Sequence, residues 1–194
     1  MAYDSDRHGR RSIRLDDYDY RNAGAYFVTI CTDDKRLLFG EVVRGRIRLS
    51  SCGRVAVDEW HRTEQLRDNV TLDAFVVMPN HVHGIIVITE NASNNERRGM
   101  MHRAPTTDDA SKNDKNTARR EFGRPQAGSL GRIVGTYKVA VTRRCRRECR
   151  RDFAWQRNYY ERILRDRREL HLTRRYIASN PQQWYHDRLF ASTP

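Results

Sequence analysis

Apolar and polar positions alternate with a period of two along several stretches of the chain, and with a helical period along others. Ala25–Thr32 (AYFVTICT) is rich in β-branched and aromatic residues and predicts a strand. Leu37–Val43 and Arg46–Leu49 are short strand-like runs that meet at Arg44-Gly45, the pattern of a small hairpin. From Ser51 the period changes: Val55, Trp60 and Leu66 recur among polar residues, which predicts a helix capped by Ser50 or Ser51. Val70–Met78 and His83–Thr89 then predict two long strands around a turn or bulge at Pro79-Asn80. Ser129 to about Arg151 returns to helical spacing, with Leu130, Ile133, Val134, Tyr137, Val141 and Cys145 on one face. Asn158 reads as the cap of a helix that carries Tyr159 and Tyr160 in its first turn and turns Ile163 and Leu164 to the core. Arg168–Ser179 predicts a last helix, stopped by Asn180-Pro181, before a tail that packs Trp184 or frays. Ser12–Tyr20 is ambiguous between an extended lead-in and an edge.

This strand–helix–strand–strand–helix order predicts one α+β domain, built from residues 12–90 and 129–182. The remainder is different in kind. Residues 1–11 are polar and basic, and 91–128 carry almost no large apolar residues. Neither stretch can bury enough surface to offset its ordering entropy, so both are expected to be disordered, the second as an insertion; 183–194 form the tail.

Charge changes the picture of partners. The 194 residues include 37 Lys plus Arg and carry a net charge of +12, a surplus that points to nucleic acid. Arg143, Arg144, Arg146, Arg147, Arg150 and Arg151 concentrate it on one predicted helix, a candidate phosphate-facing patch rather than a solvated face. No window approaches the roughly 20 apolar residues of a membrane span. Cys31, Cys52, Cys145 and Cys149 lack both Cys-x-x-Cys spacing and secreted-scaffold density, which predicts reduced thiols in a cytoplasm. Cys145 and Cys149 share a helix face, with no nearby His to complete a zinc site.

The candidate chemistry lies in Phe75–Glu90, FVVMPNHVHGIIVITE. In an extended strand His81 and His83 share one face while Val82 points the other way, so two imidazoles stand side by side, as a divalent metal would require. An isolated His-x-His is more often a pair of polar residues on an open sheet face. A second centre is the Tyr159-Tyr160 pair, since a phenol can act as a covalent nucleophile beside a metal, although adjacent tyrosines are more often packing residues.

Four motifs in order, RRSIRLDDYDYRNAGAYFVTICT, FVVMPNHVHGIIVI, WQRNYYERILRD and YIASNPQQW, resemble the REP-associated tyrosine transposases, of the single-tyrosine HUH transposase superfamily. The resemblance covers nearly the whole chain outside 91–128. It implies a ferredoxin-like antiparallel sheet with helices packed on one face. It also implies cleavage and rejoining of single-stranded DNA near hairpins through a covalent 5′-phosphotyrosine. His81 and His83 would be the pair that binds Mg²⁺ or Mn²⁺. Tyr160, in the family's Trp-Gln-x-x-x-Tyr pattern, would be the nucleophile, with Tyr159 as the fallback. Gln156 or Glu161 would supply a third metal ligand, and Arg162 departs from the His of the family pattern. Two other readings stay open: a metal-dependent phosphodiesterase using activated water, and a catalytically silent hairpin-binding regulator. Monomer and dimer are equally compatible with the sequence.

Overall fold

The computed structural model describes residues 18–90 and 126–190; the expected N-terminal disorder and all but the last three residues of the 91–128 insertion lie outside the described residues. The chain order is β1 (Gly24–Cys31), β2 (Gly40–Val43), β3 (Arg46–Leu49), α1 (Ser51–Gln65), β4 (Val70–Val77), β5 (His81–Ile88), α2 (Leu130–Glu148), β6 (Tyr160–Leu164) and α3 (Arg167–Ser179). A 3-10 turn, Asn180–His186, follows. Four strands form an antiparallel sheet in the order β4-β5-β1-β6, and β2 pairs with β3 in a separate hairpin. With its two helical crossovers this is the βαββαβ arrangement of a ferredoxin-like sheet. The hairpin turns at Arg44 and Gly45, both in the left-handed region, as a two-residue loop between twisted strands requires.

Each helix starts on a side-chain cap. Ser50 Oγ accepts from the Gly53 amide at 3.1 Å, Ser129 Oγ from Arg132 at 3.3 Å, and Asp166 from Glu169 at 2.7 Å, each satisfying an N–H that the helix leaves unpaired. Strand alternation then decides which layer each residue joins. Tyr26, Val28, Ile30, Val82, Ile86 and Ile88 point to one face and pack with Trp60 of α1 and with Ile133, Val134 and Tyr137 of α2. Packing there is close: a Cβ on Gly84 would run into the Trp60 indole.

Two expectations change. First, α1 and α2 share one face, but α3 covers the other, where Ile177 and Leu170 pack on Phe27, Ile85 and Leu164. Second, Tyr160–Leu164 is an edge strand paired with β1, not a helix. Residues 160–164 include Ile163 and Leu164, and the vacant edge of β1 satisfies their backbone groups while burying apolar side chains on both faces. A bulge also falls inside β4, between Leu72 and Phe75, rather than at Pro79-Asn80, which form the turn closed by the Met78 amide donating to the His81 carbonyl. Among the described residues no helix is long and apolar enough to cross a membrane.

Candidate metal and nucleophile site

Residues on one face of three neighbouring strands meet at one end of the sheet. β5 contributes His81 and His83, and the register sets Thr29 of β1 opposite His83 on one side and opposite Tyr160 of β6 on the other. Val82, between the histidines, is buried in the α1–α2 layer. Both imidazoles are buried rather than open to solvent, because α3 and the tail cover them.

Every imidazole nitrogen has a partner. His81 Nδ1 lies 2.7 Å from Asn80 Oδ1. The Asn80 amide donates to the carbonyls of Lys35 and Leu189, so its Oδ1 is the acceptor and His81 carries its proton on Nδ1. That leaves a lone pair on His81 Nε2. His83 Nδ1 is 2.8 Å from Thr29 Oγ1, a hydroxyl that can donate or accept. The two Nε2 atoms face each other at 3.0 Å. Without a cation, His83 Nε2 donates to His81; to bind one, His83 must move its proton to Nδ1, and Thr29 can accept it there. Burial above all pushes both imidazoles down to about 3, with Lys35 acting on His81 and the His81 imidazole on His83. Both are therefore neutral, the form that ligates metal.

Asp187 joins the pair: its carboxylate and the two imidazoles offer ligand atoms all within 4.8 Å of one another. Asn180 Nδ2 holds Asp187 Oδ2 at 3.1 Å, and the Leu189 amide holds Oδ1 at 2.7 Å. Asn180 is itself buried, and its Oδ1 has no hydrogen-bond partner among the described residues, an acceptor that a cation or its bound water would satisfy. Cis ligands of an octahedral ion with bonds of about 2.1 Å stand about 3.0 Å apart, the separation of the two Nε2 atoms. The donor set, two neutral imidazoles and a carboxylate with orienting partners behind each, fits a divalent cation.

The cluster opens into a cavity of about 550 Å³ lined by Phe27, Thr29, His83, Tyr160, Tyr176 and Asp187, among others. Tyr176 on α3 puts its hydroxyl 3.1 Å from His83 Nε2. Burial first, and the nearby Asp187 second, push that phenol up. Tyr160 lies on the cavity wall with its ring edge-on to Phe27, centroids 6.3 Å apart.

The remaining expected residues are dispersed. Tyr159 packs against the α1–α2 core, so the fallback tyrosine is on the far face from the histidines. Glu161 is buried opposite Val28 on that same far face, because strand alternation separates it from Tyr160, and so it stands apart from the imidazole pair. Gln156 is exposed, and its backbone is held by Cys31 and Lys138. Of the expected arginines, Arg143, Arg144, Arg146 and Arg147 lie on α2, on the far face, while Arg150 and Arg151 follow its end rather than sharing the helix. Arg144 bonds Glu59 and Asp58, Arg146 the Phe153 carbonyl, Arg147 Glu148 and Arg150 Asp152. Arg143 and Arg151 have no ion-pair partner among the described residues. Sequence reasoning missed Tyr176, Asn180 and Asp187. Tyr176 and Asn180 sit four residues apart beside the Asn180-Pro181 stop, a helical-turn spacing that carried the signal; Asp187, in an irregular tail, carried none.

No protein-family model matches the chain. A Haemophilus influenzae protein that bears only the name "Uncharacterized protein" is 36% identical over 191 residues, covering 97% of both chains. Among solved structures, that of a REP-associated tyrosine transposase bound to a REP hairpin superposes with a TM-score of 0.50 at 13% identity, over 94% of this chain and 93% of that one.

Proposed function

Since the chain belongs to the family of the Haemophilus influenzae protein and has the fold of a REP-associated tyrosine transposase, we propose that it cleaves and rejoins single-stranded DNA near hairpins through a tyrosine. The observation that carries this reading is a phenol hydroxyl 3.1 Å from one of two facing imidazoles with a carboxylate beside them.

His81, His83 and Asp187 would hold the Mg²⁺ or Mn²⁺, with Asn180 behind Asp187. When bound, the ion supplies charge neutralisation at the scissile phosphate. The protein's own groups position the reactants. Geometry favours Tyr176 over Tyr160 as the nucleophile, because only the Tyr176 hydroxyl touches the imidazole pair. The phenol loses its proton, the bond from its oxygen to the 5′-phosphorus forms, the bond from phosphorus to the 3′-oxygen breaks, and that oxygen takes up a proton. α3 fixes the approach and the cavity admits an unpaired strand. Tyr160 offers a ring on which a base can stack. Arg188 lines the same cavity, the basic group best placed for the reacting phosphate. Arg143 and Arg151, on the opposite face, are left for DNA outside the cavity.

The test is incubation of the protein with labelled single-stranded hairpin DNA and Mn²⁺, followed by denaturing electrophoresis. A denaturation-resistant adduct is expected for the unaltered chain and for Tyr160→Phe, and none for Tyr176→Phe. Trypsin separates the candidates, since Tyr160 falls in Asn158–Arg162 and Tyr176 in Tyr176–Arg188. A modified Tyr160 would restore that residue as the nucleophile. Cleavage without any adduct would point to activated water, and binding without cleavage to a silent regulator.

A further inference from the structure

We propose that Cys52, Cys145 and Cys149 form a second metal site, a three-thiolate centre for Zn²⁺ with its fourth position open to solvent. Cys52 sits in the first turn of α1, Cys145 in the last turn of α2, and Cys149 is the C-terminal cap of α2. Their sulfurs all lie within 4.8 Å of one another, although Cys52 is 93 residues from Cys145 in the chain. Tetrahedral Zn²⁺ with Zn–S bonds of about 2.3 Å needs sulfurs about 3.8 Å apart, so side-chain adjustments of about an ångström or less would seat the ion. Soft thiolates select Zn²⁺ over the hard cations suited to the imidazole–carboxylate site.

Placement on the molecule supports the assignment. Cys52 and Cys145 are buried, and Cys145 Sγ points at the Cys52 carbonyl, 3.9 Å away. Cys149 is exposed and lines a cleft of about 360 Å³ between α1 and α2, together with Arg54, Asp58, Arg144 and Glu148. The cleft supplies both an entry path and water for the fourth position. Three thiolates and one Zn²⁺ leave a net negative charge, which Arg54 in the cleft would offset, Arg144 being engaged by Asp58 and Glu59 and Arg150 by Asp152. A disulfide would use only two of the three sulfurs. The centre would tie the start of α1 to the end of α2 on the face away from the imidazoles, independently of any DNA chemistry.

Co²⁺ serves as a spectroscopic stand-in for Zn²⁺. The full-length protein, reduced and freed of metal with a chelator, is titrated anaerobically with Co²⁺ and then with Zn²⁺. Expected are a thiolate-to-cobalt charge-transfer band and tetrahedral d–d bands saturating at one equivalent and bleached by Zn²⁺. Zn²⁺ should also raise the melting temperature by several degrees. The charge-transfer band should be lost in Cys149→Ser, which alters the exposed sulfur and spares the core, and both the band and the Zn²⁺-dependent rise in melting temperature should persist in a His81→Ala/His83→Ala protein. Absence of the charge-transfer band, its survival in Cys149→Ser, or mere loss of two hydrogens on air oxidation without metal uptake would overturn the site.

Discussion

The two faces of the central sheet share the same strands and differ in almost everything else. On the α1–α2 face, Val82, Ile86 and Val28 meet Trp60 and Tyr137 in a buried apolar layer, and Gly84 has no room for a side chain. On the α3 face the layer is apolar around Ile85 and Ile177, then turns polar at His83, Thr29, Tyr176 and Asp187. Alternation along β5 thus sends Val82 into the packed layer and its neighbours His81 and His83 to the polar end of the opposite face. A substitution at Val82 and one at His83 should therefore fail in different assays.

The largest effects should separate the faces outright. Trp60→Ala leaves a cavity in the α1–α2 layer and should cost about 3–5 kcal/mol in denaturant unfolding. His81→Ala should leave unfolding near that of the parent while cutting adduct formation roughly 10³-fold or more, the several kcal/mol attributed to a metal in such a step. If His81→Ala unfolds as readily as Trp60→Ala, the imidazoles are structural and the faces are not divided.

A smaller effect probes what stands behind the imidazoles. Thr29→Val keeps the shape but removes the hydroxyl that accepts the His83 Nδ1 proton in the metal-binding tautomer. It should weaken Mn²⁺ binding about 10- to 100-fold, measured by calorimetry in a Cys149→Ser background that removes the thiolate centre.

Acid offers a third comparison. His81 and His83 titrate near 3 when folded and near 6.5 when unfolded, so the unfolded chain binds more protons between those values. Stability of the metal-free protein should be unaffected by these groups above about pH 6.5 and should fall as pH drops toward about 3. Replacing both histidines by Ala should flatten the melting temperature over that window, whereas Trp60→Ala should shift the whole curve without changing its slope.

The least effect is expected at the exposed arginines of the far face. Neutralising Arg143 and Arg151 should flatten the slope of log affinity against log salt for a single strand by about 0.7 for each phosphate that no longer meets a cation. An unchanged slope would leave the far face out of DNA binding altogether.

Much of this was legible along the chain. The β-branched and aromatic run at Ala25–Thr32, the strands on either side of Pro79-Asn80, the cap at Ser50 or Ser51, and the opposite facing of Val82 and the two histidines follow from local rules that the neighbouring backbone enforces. Those rules also misled. Asn158 is an acceptable helix cap, and Tyr160–Leu164 has no strong alternation, so the segment reads as a helix until the open edge of β1 is there to pair with it. Once it is a strand, Glu161 and Tyr160 must part to opposite faces.

What local spacing and composition determined is an α+β domain, its basic character and the side-by-side imidazoles, because each rests on a dozen or so residues or on composition; the ferredoxin-like sheet was what the family resemblance implied, and spacing alone misread its fourth strand. Only the tertiary structure decided which tyrosine touches the imidazoles, which carboxylate joins them, and that a cysteine of α1 meets two of α2. Those neighbours are 93 residues apart for His83 and Tyr176 and 93 for Cys52 and Cys145. No periodicity reaches that far: such contacts are settled by which face α3 covers and how α1 packs on α2, through burial summed over the whole sheet.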